Sequence, residues 1–176
     1  MSAFDPILSR WPIFAVLASV AMLAIAHAFE TFGGLAPCHL CLKQREVYWV
    51  AMGLGGVACL AYAHRSPITE KFRPNGPSRW LVGIVLSLVF LYGAYLAGLQ
   101  AGAEWKWWPA PETCSSTHAS LEGVMALMRG RATATPACDK AAWVFLGISM
   151  AGWNFLASLG LIAMSTLSVF RPRSAR

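Results

Sequence analysis

The sequence predicts an all-α integral membrane protein: a bundle of four helices, both termini cytoplasmic, with two cysteine-bearing loops on the opposite side. Three observations lead there. Of 176 residues, 57% are hydrophobic and only 12% charged, about half the charged share typical of soluble domains. The apolar residues gather into four runs, Trp11–Phe29, Val47–Ala63, Trp80–Leu99 and Trp143–Phe170. The net charge of +6 lies entirely on one side of those runs.

Each run is near or above the roughly 17–25 residues that cross about 30 Å of hydrocarbon as a helix. Within lipid the backbone must satisfy its own hydrogen bonds, so helix is the expected conformation. The first run follows Arg10 and ends in "AIAHA", which faintly resembles a secretory leader. It is longer than the 7–15 apolar residues of such a leader, and Asp5 breaks the basic start, so it is read as a retained span. The second run is the shortest; the fourth has length to spare for tilt. The remaining chain forms an inner linker and outer loops of about 30–46 and 100–142, leaving one transmembrane domain over 1–176.

The tails and the 63–80 linker carry eight basic residues (Arg10, Arg65, Lys71, Arg73, Arg79, Arg171, Arg173, Arg176) against Asp5 and Glu70. The other two connections balance six basic with six acidic residues. By the positive-inside rule the first set is cytoplasmic. Because the basic residues flank spans, the basic pI gives no reason to expect a nucleic-acid partner.

Cys38 and Cys41 then fall in the first outer loop, Cys114 and Cys138 in the second, and Cys59 within the second helix. Four of five thiols face the compartment where disulfides persist. A Cys114–Cys138 bond closes a loop of about 25 residues, worth roughly 3.5 kcal/mol in the chain-entropy model, so a structural staple explains it when it is taken alone. Between them Leu121, Val124, Met125 and Met128 keep helical spacing around Gly123, a short amphipathic helix suited to a bilayer surface.

Cys38-His39-Leu40-Cys41 argues differently. A bond across two residues closes too small a ring to stabilise much, so a redox couple or a metal clip explains it better. The metal reading would use Cys38, His39 and Cys41, with His118 or Cys114 completing the set, in a membrane sensor or transporter subunit; no second ligand pair stands in the sequence. Arg45 lies one turn after Cys41. With Cys41 at a helix N-terminus, dipole and guanidinium together favour thiolate, although an arginine at this depth also snorkels to headgroups. Oxidising a dithiol releases two electrons and two protons, and the sequence holds no dinucleotide motif, haem attachment or iron–sulfur cluster to take them. A lipid-dissolved quinone can, with Arg45 placed for its carbonyl.

Four features resemble the DsbB family of quinone-linked thiol oxidases of bacterial inner membranes: "PCHLCLKQR", "GAEWKWWPAPETC", "CDKAAWVFLGISMAGW", and four helices with both cysteine pairs outside. The resemblance implies a relay. A reduced periplasmic DsbA-like protein attacks the Cys114–Cys138 disulfide, with Cys114 forming the mixed disulfide and Cys138 resolving it. Electrons pass to Cys38 and Cys41, Cys41 standing nearest the quinone (ubiquinone or menaquinone), which Arg45 contacts. The chain departs from the family at Gln44, where members often carry Glu. The vitamin K epoxide reductase family, which runs the flow in reverse, places its Cys-x-x-C near the last helix instead. Trp105, Trp107 and Trp108 suit an interfacial aromatic belt as well as a binding site. Cys59 reads as an inert buried thiol, and His27, His64 and His118 take no role.

Overall fold

The computed structural model describes residues 7–8, 10–63, 79–111, 114 and 138–170. Four helices account for most of them: α1 Trp11–Thr31, α2 His39–Ala63, α3 Arg79–Glu104 and α4 Met150–Phe170, with strands β1 Val144–Phe145 and β2 Ile148–Ser149 just before α4. Three of the helices, α1, Trp80–Glu104 within α3, and α4, are long and apolar enough to cross a membrane; α2 is the fourth member of the bundle. At 1.5 Å per residue, the 21 residues of α1 extend about 32 Å. Large apolar side chains on the outside, such as Leu17, Val57, Leu88 and Leu167, suit a hydrocarbon solvent. The chain is a multi-pass membrane protein.

The most extensive contact joins α3 to α4; α2 packs against both α1 and α3. Small residues permit the close approach. A Cβ at Gly83 would stand 3.0 Å from Ser168 Oγ and 3.2 Å from the Ser165 carbonyl across the α3–α4 contact. Phe90 and Leu86 fill the centre completely, beside Trp11, Tyr48 and Ala51. The polar groups buried here are paired: Trp11 Nε1 donates to Ser165 Oγ at 3.0 Å, tying α1 to α4.

The fourth apolar run is only partly helix. Residues 144–149 form a two-residue antiparallel hairpin, pairing Val144 with Ser149 and Phe145 with Ile148, and α4 begins at Met150. Leu146 (φ 52°) and Gly147 (φ 78°) both turn left-handed, the geometry of a type I′ turn. Apolar count alone could not separate hairpin from helix over these residues. Ser149 then accepts the Gly152 amide at 3.1 Å and caps α4.

α3 ends in a Schellman motif. The Trp107 amide donates to the Gly102 carbonyl (2.9 Å) and the Lys106 amide to that of Ala103 (3.1 Å), with Lys106 at φ 62°. Trp108 folds back to donate its indole N–H to the Leu99 carbonyl (2.9 Å). Lys106 Nζ donates to both the backbone and the carboxylate of Asp139 at 3.0 Å, tethering the residue after Cys138 to this helix end. The ammonium holds the Asp139 carboxyl below the ordinary aspartate value. The amphipathic segment expected around Leu121–Met128, with His64 and His118, lies outside the described residues.

Candidate active site

At the end of the bundle where α1 gives way to α2 and α3 ends, the four loop cysteines form two disulfides. Cys38 pairs with Cys41 (Cα–Cα 5.0 Å) and Cys114 with Cys138 (5.4 Å). Both bridges belong to one buried cluster with Leu40, Val47 and Leu96. Cys38, Cys114 and Cys138 are each 6% exposed or less. Cys59 is a free thiol within α2, away from this cluster.

Cys38 sits immediately before α2, not within it. Its carbonyl accepts the Leu42 amide (3.1 Å) and its sulfur accepts the Cys41 amide (3.2 Å), so the sulfur of Cys38 occupies the cap. The sequence reading placed Cys41 at the helix N-terminus; the structure makes it the third helical residue and gives the cap to its partner. Either sulfur remains within the first turn, where the helix dipole favours negative charge.

Beside Cys41 opens a cavity of about 440 Å³ between α1, α2, α3 and the start of α4. Its walls are largely apolar, with Met22, Ile25, Phe29, Leu35, Trp143 and Phe145 among them. The polar side chains entering it are Cys41, Gln44, Arg45, Tyr48, Gln100 and Asn154. A mostly apolar space of this size with a few convergent polar groups is the usual form of a small-molecule site. Aromatic rings line one side in succession: Phe29 to Trp143 at 5.0 Å between centroids, Trp143 to Phe145 at 5.6 Å, Phe145 to Trp153 at 6.4 Å. The hairpin turn is what brings Phe145 into this row, since Trp153 Nε1 donates to its carbonyl at 3.1 Å.

Arg45 lines the cavity with Cys41, as the one-turn spacing predicts. Its guanidinium, however, reaches to α1, donating to the Glu30 carboxylate at 2.5 Å and to the Ala26 carbonyl at 3.1 Å. Two of its five N–H donors are thereby engaged, which orients the group and leaves others for a ligand. Glu30 had no role in the sequence reading; a lone acid at a helix end carries no pattern that distinguishes it.

The side chain that approaches the Cys38–Cys41 sulfurs comes from α3. Gln100 Oε1 lies 3.7 Å from Cys38 Sγ and 3.8 Å from Cys41 Sγ, and its Nε2 lies 3.6 Å from Cys41 Sγ. Gln44 Nε2 donates to Gln100 Oε1 at 2.9 Å, and Gln100 Nε2 donates to Glu104 Oε1 at 3.1 Å. Asn154 Nδ2 donates to Gln44 Oε1, and Tyr48 donates its hydroxyl to Asn154 Oδ1. Gln44, where the family resemblance leads one to look for an acid, is a buried link in this chain of amides.

His39 is exposed on the outer side of the helix start. Among the described residues no group of three His, Cys, Asp or Glu side chains converges as metal ligands. The two sulfurs of the motif bond to each other, an arrangement that serves redox exchange better than a clip. Trp105 and Trp107 meet at a tilt with centroids 4.9 Å apart and are exposed, away from the cavity walls, while Trp108 caps the end of α3.

Two disulfides packed together at one end of a helical membrane bundle, one of them opening on an apolar cavity, define a membrane protein of thiol–disulfide chemistry. The family profile described as "Disulfide bond formation protein DsbB" matches residues 9–168, and the chain belongs to that family. "Disulfide bond formation protein B 2" of Pseudomonas entomophila is 31% identical over 166 residues, covering 90% of each chain. "Disulfide bond formation protein B" of Marinobacter nauticus is 30% identical over 175 residues (96% of each), and that of a Polaromonas species 26% over 176 (96% and 97%). No solved structure matches the chain. The family assigns a disulfide-forming oxidoreductase role.

Proposed function

We propose that the protein regenerates a periplasmic DsbA-like thiol oxidase and passes the electrons to membrane quinone, with its cysteine pairs on the periplasmic side of a bacterial inner membrane. The observation that carries this reading is the Cys41 sulfur at the wall of a cavity that also holds Arg45. The charge asymmetry of the termini and inner linker supports the orientation.

The relay is a pair of thiol–disulfide exchanges followed by one oxidation. A thiolate of the partner attacks Cys114 and Cys138 leaves. The partner's second thiol, rather than Cys138, then resolves the mixed disulfide, because attack by Cys138 would only re-form the starting bond. The partner thereby gains a disulfide and the Cys114–Cys138 bond is reduced. A thiolate of the second loop then attacks Cys38, breaking Cys38–Cys41 and leaving the electron pair on Cys41. Each exchange requires an in-line sulfur approach, so Cys114, 6% exposed here, must turn outward to meet the partner. Reoxidation of Cys38 and Cys41 yields two electrons and two protons, which a quinone takes up to become quinol. The cavity fits such a head group: apolar and aromatic walls for ring and tail, and polar side chains at the end beside Cys41. Arg45, steadied by Glu30, offers free N–H groups to a carbonyl there.

The test combines purified protein, a reduced DsbA-type dithiol protein and a soluble quinone, following quinone absorbance. Cys41→Ser abolishes turnover, and Arg45→Ala raises the KM for quinone more than that for the thiol protein. Normal quinone reduction by Cys41→Ser overturns the reading.

A further inference from the structure

The hydrogen bonds around the inner disulfide all run one way. Tyr48 donates to Asn154, Asn154 to Gln44, Gln44 to Gln100, and Gln100 to Glu104. A carboxyl oxygen accepts from an amide nitrogen, and Glu104 Oε1 takes the Gln100 Nε2 hydrogen at 3.1 Å, so Gln100 presents its nitrogen to this side. Gln100 Oε1 then faces Gln44, which must present nitrogen in its turn, and so on back to the Tyr48 hydroxyl. Four links drawn from three helices thus share one direction, ending at the Glu104 carboxyl. Aligned bonds in a low-dielectric interior polarise one another and concentrate donor strength at the last amide.

That last amide has a second N–H, and the atom facing it is Cys41 Sγ, 3.6 Å from Nε2. Gln100 is 7% exposed, so no bulk water competes for the bond. We propose that Gln100 is a catalytic residue of the inner couple: its oriented carboxamide donates to Cys41 Sγ and favours the thiolate left there when Cys38–Cys41 opens, with Gln44 and Glu104 acting through it as positioning residues. The proposal rests on the exchange order given above, in which the electron pair of the broken bond settles on Cys41. Other groups surround the same sulfur. Arg45 on α2 is paired with Glu30 of α1, Glu104 of α3 shares the Gln100 nitrogen, α4 brings the neutral Asn154, and the second loop brings Cys114 and Cys138. Of the described side chains, Gln100 is the one outside the cysteines that lies within hydrogen-bonding distance of Cys41 Sγ.

The test needs neither quinone nor partner. In a Cys38→Ala background, with Cys59 also replaced by Ala and Cys114–Cys138 intact, alkylation of Cys41 by iodoacetamide is followed against pH. Gln100→Met keeps length and removes the amide; it lowers the alkylation rate at pH 7 about tenfold and moves the profile to higher pH, the size expected for a hydrogen bond to a charged group. Gln100→Asn, a smaller change that withdraws the N–H without adding apolar bulk, moves it the same way. Gln44→Met, which leaves Cys41 untouched but removes the donor to Gln100 Oε1 and with it the polarisation of the amide, gives a smaller shift of the same sign. Unchanged profiles in Gln100→Met and Gln100→Asn overturn the proposal. Shifted profiles in a protein that reduces no quinone would leave it standing and sink the quinone reading instead.

Discussion

Buried polar side chains decide the chemistry of this bundle because each is costly to leave unpaired. Tyr48 is buried and begins the chain of donors that ends at Gln100 and Glu104. Tyr48→Phe keeps the ring and strips one donor, leaving Asn154 Oδ1 without it. The expected loss of stability is about 1–3 kcal/mol, read from denaturant unfolding in mixed micelles, and a variant as stable as wild type would show that Asn154 finds another donor. Spacing singled out Cys38, Cys41 and Arg45 as candidates, and the structure bonds Cys38 to Cys41 and sets Cys41 and Arg45 on one cavity wall. It did not single out Gln100, Glu104, Glu30 or Asn154. Each is a single polar residue in an apolar helix, and its meaning comes from partners up to 110 positions away.

Local geometry at helix ends shapes the site as much as the helices do. The Leu146–Gly147 turn delays α4 and swings Phe145 onto the cavity wall. A Cβ at Gly147 would meet nothing within 4 Å, so a substitution there is opposed by backbone conformation alone. Gly147→Val is expected to cost about 1–2 kcal/mol, and Leu146→Gly to relieve strain, both measurable by the same unfolding assay. On the function proposed above, Gly147→Val also raises the KM for quinone and leaves that for the thiol protein unchanged. Sequence reading extended the fourth helix back to Trp143 because an apolar run carries no period over seven residues; the Leu-Gly pair inside it was the available signal. The Schellman end of α3 was hidden in the same way, its left-handed position being filled by Lys106 rather than glycine.

Between the ends of the loop that carries Cys114 and Cys138 runs an ion pair whose contribution falls in acid. Lys106, just past the end of α3, holds Asp139, next to Cys138, and depresses the Asp139 carboxyl. A carboxylate whose value is lowered in the folded state contributes stability above its unfolded pKa of about 3.9 and loses it as pH falls through the folded value. Wild type should therefore exceed Lys106→Met in thermal stability near neutral pH, and the difference should vanish in strong acid. A gap that persists unchanged at pH 2 would assign the effect to packing of the lysine stem instead. Because the pair is exposed, high salt should narrow the gap as well. The same variant should admit a small reductant to Cys114–Cys138 more rapidly, since the tether keeps that bridge seated against the inner one.

The apolar runs alone determined that the chain would be a four-helix membrane bundle, and the order of cysteines along it put both pairs in the connections at one end, because hydrocarbon permits few other ways to satisfy a backbone. Only the tertiary structure decided which groups attend the reacting sulfurs. That choice depends on α3 and α4 lying close enough, through glycine and serine contacts, for Gln100 and Asn154 to meet Gln44. Residues distant in sequence become one hydrogen-bonded chain only when their helices are packed, and no local pattern records that meeting.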